Sequence, residues 1–184
     1  MLTIEVPSKE LFNSATNEFI QVEGKSLTLE HSLVSISKWE SKWHKPFLGT
    51  DQKTNEELID YIKCMTLTKN VDPNIYLVLT KENVQDIEDY IDDPMTATTF
   101  SDDKRQVNGV GGRKKIITAE IIYYWMIALN IPLECQKWHL NRLLTLIRVV
   151  NIKNQPNKKM SKKELMNRNR QLNAARRKAS GSSG

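Results

Sequence analysis

The chain has 184 residues, with 27 Lys and Arg against 22 Asp and Glu, so its formal net charge is +5. An apolar fraction of 39% is enough for one sizeable core and argues against disorder throughout, while 7 Gly and 6 Pro exclude collagen-like and low-complexity classes. Two cysteines, Cys64 and Cys135, cannot build a disulfide framework or a four-cysteine zinc site, and the longest apolar run, Ile121 to Leu129, is about half a membrane span. The acidic, alternating N-terminus lacks the basic region and apolar stretch of a secretory leader, so the expectation is a soluble intracellular protein with no membrane contact.

The first thirty residues read as strands. Leu2-Thr3-Ile4-Glu5-Val6 alternates with period two and stops at Pro7; Glu18–Val22 and Ser26–Glu30 flank Glu23-Gly24-Lys25, which reads as a hairpin turn. Three short strands need a helix on one face to be stable. From Ser32, a good N-cap, Leu33, Ile36, Trp39 and Trp43 recur at helical spacing up to Pro46. Thr54 and Glu57 form a capping box ahead of Leu58, Ile59, Tyr61, Ile62 and Met65. Pro73 opens a single turn, and Thr80 caps a helix carrying Val84, Ile87, Tyr90 and Ile91, closed by Pro94. Met95–Phe100 is β-prone, and 101–115, with Gly109, Gly111 and Gly112, reads as a long loop.

Two further helices are expected in the body. Thr118 caps one with Ile121, Ile122, Trp125, Met126 and Leu129, apolar nearly all round and therefore central. After Asn130 and Pro132 a second runs from Leu133 to Val150, with Leu133, Leu140, Leu143, Leu144 and Ile147 on one face, so that the pair forms a helical hairpin. The fold class is therefore α+β, mostly α: a small N-terminal antiparallel β-element (1–30), a helical region (31–152), and a basic C-terminal helix or tail (153–184).

Catalytic and metal chemistry find little support. Cys135 and His139 share a helix face, but two ligands are too few for zinc, and a packed cysteine beside a surface histidine is the simpler reading. As a nucleophile and base the pair lacks an orienting third group. Gly109–Lys115 has no P-loop register, and the acid pairs Asp92-Asp93 and Asp102-Asp103 look solvated. No catalytic residue, cofactor or metal is expected.

Charge supplies the strongest signal. Between Lys153 and Lys178 stand ten basic residues against Glu164 alone, giving that segment +9 and the remainder −4. Ser161–Glu164 is a second capping box and predicts a helix to about Lys178, with Leu165, Asn169, Leu172 and Arg176 at helical spacing. Lys158, Lys159, Lys162, Lys163, Leu165, Arg168, Arg170, Leu172, Arg176 and Arg177 are thus the candidate partner-binding residues. Such a segment can fold on an elongated helical protein, neutralise nucleic-acid phosphates with weak, non-specific affinity, or serve as a solubilising terminus. It has no aromatic side chain to stack on bases.

The runs Leu27–Leu48, Tyr61–Thr68, Met95–Phe100 and Tyr123–Arg148 resemble a family of phage and prophage proteins from the tail-gene modules of phages of Gram-positive hosts. The functional label attached to that family is tail assembly chaperone. The resemblance extends over most of residues 1–178 and carries no catalytic signature. It implies a non-enzymatic adaptor, chaperone-like, that contacts a tape-measure or tube protein in the host cytoplasm during assembly. A second copy of the chain is a further candidate partner. The rivals are a structural virion component of the neck or tail and a nucleic-acid-binding protein that uses its basic tail.

Overall fold

The structure, a computed structural model, describes residues 1–13, 17–49, 51–100, 116–154 and 162–180. Its architecture is α+β and mostly α, with an N-terminal antiparallel β-element followed by six helices among the described residues. The chain divides into two units, Met1–Val150 and Asn151–Gly184.

The β-element has four strands, β1 (Leu2–Val6), β2 (Lys9–Asn13), β3 (Glu18–Val22) and β4 (Lys25–Leu29). β1 pairs with β4 from Leu2↔Leu29 to Val6↔Lys25, and β2 with β3 from Lys9↔Val22 to Asn13↔Glu18. The two ladders share one register, so they form a single ribbon, interrupted where Pro7-Ser8 face Glu23-Gly24. Pro7 has no N–H to give a ladder, and the inward face changes parity there. Ile4 and Val6 point inward before the break; Leu11 is the inner residue after it. Gly24 permits the crossing: a Cβ on it would lie 2.8 Å from the Ser8 nitrogen and 2.9 Å from the Val6 oxygen. The turn expected at Glu23–Lys25 is therefore a mid-ribbon break, and a strand the pattern did not signal, β2, completes the pairing. The expected helical cover is α3 (Lys81–Asp92), which packs on β1 and whose Asn83 amide donates to the Glu5 carbonyl at 3.2 Å.

Local capping chemistry sets three helix starts. Ser32 caps α1 (Leu33–Trp43), Thr54 caps α2 (Asn55–Met65) and Thr80 caps α3, each closing a box with the residue three positions on. α1 stops at His44 in the left-handed region (φ 52°). α1 is the hub: its Leu33, Ile36 and Trp39 are buried, and it packs against both α2 and α4 (Ala119–Ala128). On α2 and α3 the expected apolar faces hold, except that Leu58 and Val84 are exposed. Met95–Phe100 is not a strand; its backbone is turned by bonds from the Met95 N–H to Asp93 and from the Thr98 N–H to Thr96. The loop expected at 101–115 lies outside the described residues.

The helical hairpin around Pro132 differs in three respects. Thr118 occupies the N-cap of α4 without a side-chain cap bond; the Ala119 N–H donates instead to Glu40 Oε2 at 2.7 Å, a partner 79 residues away. α4 is not central, since only Ala119, Ile122 and Met126 are buried and Tyr124 and Ile127 face solvent. The helix expected from Leu133 to Val150 is a short 3-10 turn (Leu133–Lys137) followed by α5 (Leu140–Asn154). Leu133 is exposed, Leu144 half-buried, and the buried line of α5 is Leu140, Leu143 and Ile147. The reason for the break lies outside the local sequence: the Leu140 N–H donates to the His31 carbonyl at 2.8 Å, which pins the start of α5 to the segment after β4.

Candidate functional site

The basic segment contains a helix, α6 (Lys162–Ser180), of 19 residues. Among the candidate partner-binding residues, Arg168, Arg170, Leu172, Arg176 and Arg177 lie on it and are exposed. Lys162, Lys163 and Leu165 contribute backbone to its first turn, their side chains lying outside the described residues, as do Lys158, Lys159 and Ser161, the cap expected from the sequence. Every residue from Met166 to Arg177 is exposed, the apolar Met166 and Leu172 included, at 66% and 46%. At 100° per residue, positions 165, 168, 172 and 175 fall on one line of the helix. That line carries Leu, Arg, Leu and Ala, while Arg170 and Arg177 fall on the other side. This is a narrow apolar line interrupted by position 168, with Arg176 beside it.

Ionisable groups inside the body serve other purposes. Glu40 is buried and accepts the Phe47 and Ala119 N–H groups, each at 2.7 Å. Glu57 closes the α2 capping box and pairs with Lys45. The Lys45 hydrogen bond holds its carboxyl below the usual carboxylate range. Burial pushes Asp60 upward, but hydrogen bonds from Lys42 and Trp43 outweigh it, and the net direction is down. Among the described residues every buried side-chain nitrogen and oxygen has a hydrogen-bond partner, and no group of three His, Cys, Asp or Glu is placed to hold a metal.

Sequence reasoning missed a buried polar cluster. His139, read as a surface residue, is buried, and so is His31; the two rings lie 5.0 Å apart between centroids. The Tyr61 hydroxyl is hydrogen-bonded to His31 Nδ1 at 2.5 Å, and Tyr90 donates to Glu30 Oε1 at 2.6 Å. The only local clue was that both histidines precede a helix. Cys135 is buried in the core and Cys64 is half-buried, with burial raising the Cys64 thiol.

Apolar surface is exposed on the body as well. Ile127 (68% exposed) and Tyr124 stand out from α4, with Leu133 exposed in the 3-10 turn that follows. On the ribbon, Phe12 and Phe19 (71% exposed) form a cross-strand pair with centroids 5.2 Å apart. Comparison with protein-family models, with curated proteins and with solved structures gives no match for this chain.

Proposed function

We propose that this protein is a non-enzymatic assembly factor of a phage tail module, chaperone-like, that grips an elongated helical tail protein through α6. The observation that supports this best is α6 itself. It is a 19-residue helix in its own compact unit, exposed along all its described side chains, with a narrow apolar seam and arginines within and beside it. A helix of that length spans about 28 Å, long enough to lie along another helix for five turns. The resemblance to phage tail-module proteins names the partner class, a tape-measure or tube protein, and the strong basicity calls for acidic residues flanking the partner's apolar seam.

The experiment compares full-length protein with a 1–152 truncation in capturing the tail protein. It is run at about physiological salt, where exposed charges are screened beyond roughly 8 Å. Capture is lost with the truncation while its circular dichroism and melting stay those of a folded body. In the full chain, Leu172→Asp weakens capture by breaking the seam, and Arg168→Glu with Arg176→Glu weakens it by reversing the charge beside it. Unchanged capture by the truncation overturns the reading. So does tight discrimination between DNA sequences by the full chain, which would favour a nucleic-acid role; weak, steeply salt-dependent DNA retention would not.

A further inference from the structure

Two histidines face each other at the place where α5 is fastened to the rest of the body. His31 follows β4 by two residues and precedes the α1 cap Ser32; its carbonyl accepts the Leu140 N–H at 2.8 Å. His139 precedes Leu140, and its carbonyl accepts the Leu143 N–H at 3.1 Å, which makes it the N-cap of α5. An isolated bridge joins Ser32 to His139 alongside these bonds.

The partners of each ring fix where its proton resides. His139 Nδ1 accepts the Asn141 N–H at 3.3 Å, so its hydrogen is on Nε2, which donates to the Tyr90 carbonyl at 2.9 Å. Burial raises the Tyr61 phenol far above its ordinary range, so Tyr61 keeps its proton, and its hydroxyl, which can donate or accept, bonds His31 Nδ1 in the direction that the ring's tautomer sets. His139 is therefore neutral with its hydrogen on Nε2, an assignment that follows from its hydrogen-bond partners, and burial keeps His31 neutral beside it. A proton added to His139 Nδ1 turns an acceptor into a donor facing the Asn141 N–H.

We propose that the facing rings of His31 and His139 form an acid-sensitive latch, which holds the start of α5 against the segment between β4 and α1 and which a proton on either ring releases. In His139 the added proton removes the α5 cap; in His31 it puts a charge on a buried ring. Either also places a cation against the other ring at 5.0 Å. The surrounding charges do not cancel this. Glu30 and Asp93 attract a proton towards His139, and the Met1 ammonium, paired with Glu30 Oε2 at 3.4 Å, repels it. Tyr61 from α2 and Tyr90 from α3 stay protonated and neutral. Burial dominates for both rings: it pushes His31 down to about 4, assisted by His139, and lowers His139.

The direction of the pH effect follows. Both folded-state values lie below the ordinary histidine value, so the unfolded chain binds more protons as pH falls. The latch is intact above about pH 6.5 and weakens on acidification towards about 4. His31 alone raises the unfolding equilibrium constant about twentyfold between pH 7 and pH 5.

The test measures urea unfolding midpoints between pH 8 and pH 4.5, a window lying above the one in which carboxylates lose their stabilising bonds. His31→Asn and His139→Asn keep an acceptor near Nδ1 and cannot titrate, and Asn is a favourable N-cap. The wild-type midpoint is flat from pH 8 to about 6.5 and then falls; the double variant shows no such fall. An unchanged fall in the double variant overturns the proposal. If the variants do not fold, ring nitrogen shifts of the wild-type protein decide, with exposed His44 as internal reference. Both buried rings neutral at pH 6, with the His139 hydrogen on Nε2, is the expected result. Either ring protonated at pH 6 in a fully folded chain overturns it.

Discussion

Single side chains in the body differ sharply in what their loss would do. Glu40 is the clearest case, because one buried carboxylate satisfies backbone N–H groups from two segments, Phe47 after α1 and Ala119 at the start of α4. Glu40→Ala leaves both donors unpaired and costs about 2–4 kcal/mol, whereas Glu40→Gln keeps one acceptor oxygen and costs less. Chemical denaturation of the two variants checks the order. Along α5, Leu143 is fully buried and Leu144 only half-buried. Leu143→Ala therefore costs about 2–5 kcal/mol through transfer and cavity formation, and Leu144→Ala costs less. Equal losses in a melting series would contradict the assignment of the buried face.

At the scale of elements, the β-ribbon depends on Gly24. Any side chain there meets backbone atoms of Val6 and Ser8, which cannot swing aside as a flexible side chain would. Gly24→Ala destabilises the body by about 1–3 kcal/mol, measurable as a lowered thermal midpoint. The α4 surface gives the opposite expectation: Tyr124 and Ile127 cover nothing within the body, so Ile127→Lys changes stability by no more than about 0.5 kcal/mol. The helices α1, α2 and α3 were legible in the sequence because a cap, a box and a period are all local, and Ser32, Thr54 and Thr80 each act within three residues. β2 was not legible: Lys9-Glu10-Leu11-Phe12-Asn13 has little strand character and becomes a strand only by facing β3. The break at Trp138-His139 was equally hidden, because the groups that create it are the His31 and Tyr90 carbonyls, distant in sequence. The exposed side of α4 misled for a third reason. Its apolar residues all count towards a buried helix, yet composition does not say which side is covered. For the candidate site, the composition and capping signal of the basic segment placed α6, whereas the histidine cluster depends wholly on tertiary contacts.

For the whole molecule, stability responds to acid in two stages with different causes. Glu57 and Asp60 lie below their ordinary values, so their contribution is complete above those values, about 4.5 and 3.8, and is lost as pH falls through the depressed folded-state ones. That loss comes at lower pH than the histidine stage. Glu57→Gln removes the Lys45 ion pair and flattens the lower stage while leaving the upper one in place, which a denaturation series from pH 7 to pH 3 resolves.

Glu40 and the His31 carbonyl also bear on the order in which a ribosome releases the chain. Both belong to the N-terminal part, yet both take their partners, Ala119 and Leu140, from segments synthesised far later. The ribbon, α1 and α2 can pair among themselves soon after emergence, because their contacts are close in sequence. They must nevertheless wait, with one carboxylate oxygen and one carbonyl lacking their protein partners, until most of the body has been translated. The nascent chain thus becomes fully stable only when residue 140 has cleared the exit tunnel. By then the segment that follows, through α6, has still to appear, so the basic arm reaches solution after the body has closed.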